Sequence, residues 1–211
     1  MKRRQVLRTV LALFVVLASA TATPALAKPN DDVHYGSMGE TMLFIQDHPL
    51  MAIEVMDIKR SPVGPYDCLI IMMMPDVMIL VTDNEDFGEF IDDAFGVPEF
   101  MDSYILVDDA QLEVWRRGKT LFAELTVNVT VEPPMVPQEL TVDPLSIVFE
   151  GFGGAKSGTI TEEIPGTELE IIVKYMGFNA FVTIVAHMGT DWECEWKTLG
   201  FAYTQVRWTI T

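Results

Sequence analysis

Residues 67–83 read DCLIIMMMPDVMILVTD. The stretch is almost wholly apolar, carries four methionines and is interrupted by Pro75-Asp76. Its apolar run, Leu69–Val81, is 13 residues long, against the roughly 18 or more needed to cross a bilayer as a helix. Proline at its centre removes a backbone donor and breaks a helix. A hairpin accounts for every residue: Cys68–Met74 up, Pro75-Asp76 turning, Val77–Thr82 back. Ile70, Ile71, Val77, Ile79 and Val81 suit a pleated surface. Both faces are apolar, which predicts a strand pair deep in a sheet and covered on both sides.

Downstream the period changes. Phe87, Phe90, Ile91, Ala94 and Phe95 recur at helical spacing. Thr82 with Glu85 forms a candidate capping box, and Gly96 with Pro98 supplies a stop. One amphipathic helix is expected at about 83–95. Strands then resume: 104–107, 112–116 and 120–131, the last two flanking the turn at Gly118. They continue at 146–150, 158–164, 168–176, 180–187 and 201–210, with a short strand at 192–196. Upstream, 50–58 reads as a strand, 41–45 is too short to classify, and the polar segment 28–39 reads as a loose leader. Residues 132–144, EPPMVPQELTVDP, hold four prolines and read as an extended crossover. Many short strands at hairpin spacing predict a mainly β chain, an antiparallel sandwich or barrel with one short helix.

The first 27 residues read as an export signal. Lys2, Arg3, Arg4 and Arg8 precede an apolar core, and Ala25-Leu26-Ala27 is a small-x-small cleavage site. The run RRQVLR, residues 3–8, resembles the twin-arginine signals that export folded proteins. The expected organisation is a signal at 1–27 and a single β-rich domain at 28–211, secreted or held at the exterior of the cell envelope, with no stable membrane span in the mature chain.

The chain has 14 Lys and Arg against 31 Asp and Glu. Four of the bases and none of the acids lie in 1–27, so ten bases face 31 acids in 28–211. Nucleic acid is thereby excluded as a partner, because phosphate binding needs a basic surface. Cys68 and Cys194 lie in strand-like settings. In an exported chain they predict one disulfide, with two separate buried thiols as the alternative.

Catalytic and metal patterns do not survive inspection. DNEDFGEFIDD, residues 83–93, fails as an EF-hand because position five is Phe87 and position twelve is Ala94. Consecutive Met72, Met73 and Met74 alternate faces in a strand, which suits core filling better than a soft-metal site. His34, His48 and His187 are far apart, with no HExxH or CxxC. GFGGAKSG, residues 151–158, lacks the spacing of a phosphate loop and reads as a turn. No metal ligands, catalytic residues or cofactor are assigned. Trp192, Trp196 and Trp208 remain as a candidate aromatic surface, against the reading of a tryptophan core packed on the disulfide. The leading expectation is an exported, acidic, non-enzymatic binding protein whose partner is a protein, a glycan or a small apolar ligand. The alternatives are a carrier holding a small hydrophobic ligand in a barrel or between sheets, and a secreted hydrolase using acidic residues.

Overall fold

The computed structural model describes residues 33–45, 48–73, 77–89, 104–127, 129–131, 140–142, 144–163 and 170–210. The expected signal at 1–27 and most of the proline-rich crossover lie outside them. Strands dominate: β1 (Val33–Ile45), β2 (His48–Arg60), β3 (Tyr66–Met73), β4 (Val77–Thr82), β5 (Tyr104–Leu106), β6 (Leu112–Arg117), β7 (Thr120–Leu125), β8 (Val129–Val131), β9 (Leu140–Val142), β10 (Leu145–Glu163), β11 (Glu170–Ala186) and β12 (Cys194–Ile210). Ten form one sheet in the order β5-β4-β3-β2-β1-β12-β11-β10-β7-β6. Every pairing in it is antiparallel except β4 with β5. β8 and β9, at the two ends of the proline-rich segment, pair with each other.

The expected mainly β architecture is present as a curled half-barrel. The sheet turns back until β6 reaches β2 and β3. The Asp67 carboxylate fastens this approach by accepting a hydrogen bond from the Val114 amide at 2.7 Å. An inner core fills the curl, with Ile53, Val55, Leu69, Ile71, Ile79 and Val81 meeting Leu112, Leu121, Ile147, Phe149, Val182 and Ile184. An outer layer covers the opposite face with Met38, Met42, Met56, Met72, Cys68, Ile70, Leu80, Phe201 and Tyr203.

The hairpin over 67–83 forms as expected, with Met73 opposite Val77 and Cys68 opposite Thr82. Its two faces enter different cores: Leu69, Ile71, Ile79 and Val81 the inner one, Cys68, Ile70, Met72 and Leu80 the outer one. The helix begins at 85–89, and the rest of the expected span lies outside the described residues. Asn84 rather than Thr82 caps it, its Oδ1 accepting from the Phe87 amide at 2.8 Å. Phe87 then stacks on Tyr66, ring centroids 3.8 Å apart, and seals one end of the outer layer.

Three expectations are corrected. Residues 33–39 belong not to a loose leader but to β1, which sits between β2 and β12 at the middle of the sheet. Gly36 is there for close approach: a Cβ would lie 2.0 Å from the Asp57 carbonyl oxygen. Second, β10, β11 and β12 are long continuous strands, not pairs of short ones. Gly153 and Gly154 lie in an irregularity between Phe152 and Lys156 within β10, so that they bend a strand instead of ending it.

The third correction is the disulfide: Cys68 and Cys194 are both free thiols, one buried and one exposed. The register explains why. Cys68 lies opposite Met56, Met56 opposite Met38, and Met38 opposite Tyr203. The row through Cys68 thus meets β12 nine residues beyond Cys194. Three strand spacings and nine strand rises separate the pair, on the order of 30 Å, whereas a disulfide needs Cα atoms within about 7 Å.

Candidate functional site

β1, β10, β11 and β12 run on past the ends of β6 and β7, so their upper halves extend the concave face beyond the packed inner core. An open cleft of about 490 Å³ lies there, lined by Tyr35, Ser157, Thr159, Lys174, Met176, Gln205 and Arg207 together with parts of Gly158, Tyr175 and Val206.

Strand register brings its two charged members, Lys174 and Arg207, into line with Arg60 beside the cleft. Arg60 on β2 is opposite Tyr35 on β1, Tyr35 opposite Arg207 on β12, Arg207 opposite Lys174 on β11, and Lys174 opposite Thr159 on β10. Five side chains on five adjacent strands therefore form one transverse row about 19 Å long, taking about 4.8 Å per strand. Local pattern puts two of the bases on this face: Lys174 alternates with Val173 and Tyr175, and Arg207 with Val206 and Trp208, all of which pack in the outer layer. Arg60 joins them through its pairing with Tyr35, where the β1–β2 register shifts by one residue. All five members of the row are exposed.

The electrostatics of the row run against the rest of the molecule. Arg60, Arg207 and Lys174 form no ion pair among the described residues. Ion pairs among the described residues include Lys59–Asp57 at 2.5 Å and Lys197–Glu195 at 2.5 Å. Asp57, opposite Ser37 and so two register steps from the row, is held by Lys59. Like charges directly opposite across strands destabilise a sheet, and Arg207 faces Lys174 in a chain where acids outnumber bases more than twofold.

A second group of titratable residues sits at the curled rim. Asp67 is opposite Asp57, and its amide donates to Asp83 Oδ1 at 2.8 Å. Burial raises the Asp67 carboxyl to about 7, opposed by the Val114 hydrogen bond. Burial likewise raises Asp83. Asp67 accepts from the Val114 amide across the closure of the curl, and Asp83 from the Asp67 amide at the end of the β3–β4 hairpin, so both have structural work. The acid-based hydrolase reading draws no constellation from them.

The expected aromatic surface divides. Trp192, in the turn before β12, is 78% exposed, and Trp196 is 44% exposed. Trp208 is only 6% exposed and stacks on His34, ring centroids 3.6 Å apart and 5° from parallel. The structure does not unite the three tryptophans, and the free Cys194 is no core for them to pack on. The row at Arg60, Tyr35, Arg207 and Lys174 escaped sequence reading because its members are joined only by register. Its available signal was a base alternating with core residues at 173–175 and 206–208.

Among the described residues no group of three or more His, Cys, Asp or Glu is placed to hold a metal, and no helix is long and apolar enough to cross a membrane. No protein family, curated protein or solved structure matches the chain.

Proposed function

We propose that this chain is an exported, non-enzymatic binding protein that holds an anionic ligand in the cleft on its concave face. The observation that carries the reading is the row Arg60-Tyr35-Arg207-Lys174: three bases with no ion-pair partner among the described residues, beside an open cleft, in a strongly acidic chain. Unpaired cations held side by side by a rigid sheet are pre-organised for an anion, and arginine forks bind carboxylates and phosphates bidentately. Export rests on the signal pattern of residues 1–27. The carrier reading has less support, because Phe149, Leu121, Ile147 and Val182 fill the curl where an apolar ligand would sit.

Probing an array of anionic and neutral compounds with the full chain tests the proposal. Binding to anionic members that Thr159→Trp abolishes by filling the cleft is the expected result. Binding untouched by that substitution, or turnover of a bound compound, contradicts it.

A further inference from the structure

We infer that the ligand is a short run of an acidic polysaccharide, a chain of uronic-acid sugars laid across the strands along the Arg60–Lys174 row. The inference rests on the anion-cleft reading and narrows it to one chemistry. Bases at β2, β12 and β11 recur along a line about 14 Å long. Such a line matches a linear ligand with one carboxylate per repeat better than a single compact anion. Tyr35, 41% exposed, stands between Arg60 and Arg207. A sugar ring has an apolar C–H face to lay on the Tyr35 ring and a carboxylate to reach the flanking guanidinium groups. The next row, Gln205-Met176-Ser157, adds hydroxyl and amide groups for the sugar hydroxyls, with an apolar contact in its middle. Phosphate chains carry anions at intervals too, but they have no apolar face for Tyr35.

The molecule's overall negative charge limits the length of ligand. Screening confines each surface charge to roughly 8 Å at physiological ionic strength. The row therefore dominates for a segment lying on it, and the acidic remainder repels a longer chain. A trisaccharide spanning the row binds as well as a much longer oligomer.

Calorimetric titration of the full chain with tri-galacturonate, its methyl ester and short-chain polyphosphate, at low and high salt, tests this. Tri-galacturonate binds, its ester does not, and added salt weakens the complex. Arg207→Glu weakens it by at least about tenfold, as expected for losing a charge-assisted contact, with a thermal midpoint that does not fall showing the variant folded. Tyr35→Ala weakens it severalfold and Tyr35→Phe does not. Binding of polyphosphate in preference to tri-galacturonate, indifferent to Tyr35→Ala, overturns the polysaccharide and leaves the anion cleft standing. Failure of every anion to bind at low salt, or binding unaltered by Arg207→Glu, overturns both.

Discussion

β1 and its neighbours expose bases on one face and bury two carboxyl groups side by side on the other. The concave face displays Arg60, Arg207 and Lys174, none of them in an ion pair among the described residues, while its nearest acid, Asp57, is held by Lys59. The other face buries Glu40 of β1 directly opposite Glu54 of β2, each 1% exposed, without bases. Tyr203 donates to Glu40 Oε1 at 2.5 Å, while Glu40 Oε2 and both Glu54 carboxyl oxygens have no partner. Met38, Met42, Met56 and Phe201 occupy the same layer. Charges arranged for stability would pair across such a sheet. Their segregation leaves the bases free for an external anion and drives the acids to a cheaper solution, which is to keep their protons. Two carboxylates in one apolar layer do not both ionise. Burial, with the Tyr203 hydrogen bond opposing, raises Glu40 to about 8. Burial and then the charge of Glu40 push Glu54 well above its ordinary value.

The largest test of this contrast is pH. A folded Glu40 that titrates at about 8 keeps a proton the unfolded chain releases near 4.5. Its contribution is therefore complete below pH 4.5 and lost as pH rises through 8. That interval is 3.5 pH units at about 1.36 kcal/mol each, on the order of 5 kcal/mol. Glu54 and Asp67 act with the same sign. His34 acts oppositely: burial lowers it from 6.5 to about 3, so the fold loses stability as pH falls through that range. Between pH 4.5 and 6.5 these acids, joined by Asp83, which burial also raises, outweigh one histidine, and stability peaks near pH 4–5. Urea midpoints across pH check this, and the Glu40→Gln/Glu54→Gln double variant flattens most of the alkaline fall. A midpoint that rises from pH 5 to 8 breaks the account of the buried face.

The inner core provides the pH-insensitive counterpart. Phe149 is fully buried there. Phe149→Ala costs about 3–5 kcal/mol, by the same amount at pH 5 and pH 8, in paired urea titrations. A smaller effect sharpens the role of the orphaned acid. Glu54→Met, which extends the methionine layer, stabilises by roughly 1–4 kcal/mol at pH 8, and by little at pH 4.5 where the acid is already neutral. The smallest effect belongs to the exposed face. Lys174→Glu relieves the opposition to Arg207 and shifts stability by less than about 1 kcal/mol, which thermal melts can resolve.

The sequence was legible where local pattern and tertiary role agree. DCLIIMMMPDVMILVTD forms the hairpin it indicates, because a doubly covered strand pair has to be apolar on both faces. It was illegible where they conflict. β1 holds His34, Ser37, Glu40 and Thr41, all buried, with Gly36 and Gly39 between them. Polar and glycine-rich, it has the composition of a tail, while its place between β2 and β12 is fixed by close backbone approach. The irregularity in β10 at Phe152–Lys156 likewise looks like a turn, because glycines that bend a strand and glycines that end one are the same letters. Tyr35 fell inside the segment read as a leader, so no local reading could bring it to Arg207.

The most direct test is to watch the backbone while ligand is added. In an amide NMR titration of the full chain with tri-galacturonate, the largest shifts should fall at Tyr35, Arg60, 174–176 and 205–207, which share the concave face. Shifts centred on Trp192 and Trp196, or no shifts at low salt, would contradict the central claim that the unpaired bases of that face form the binding site.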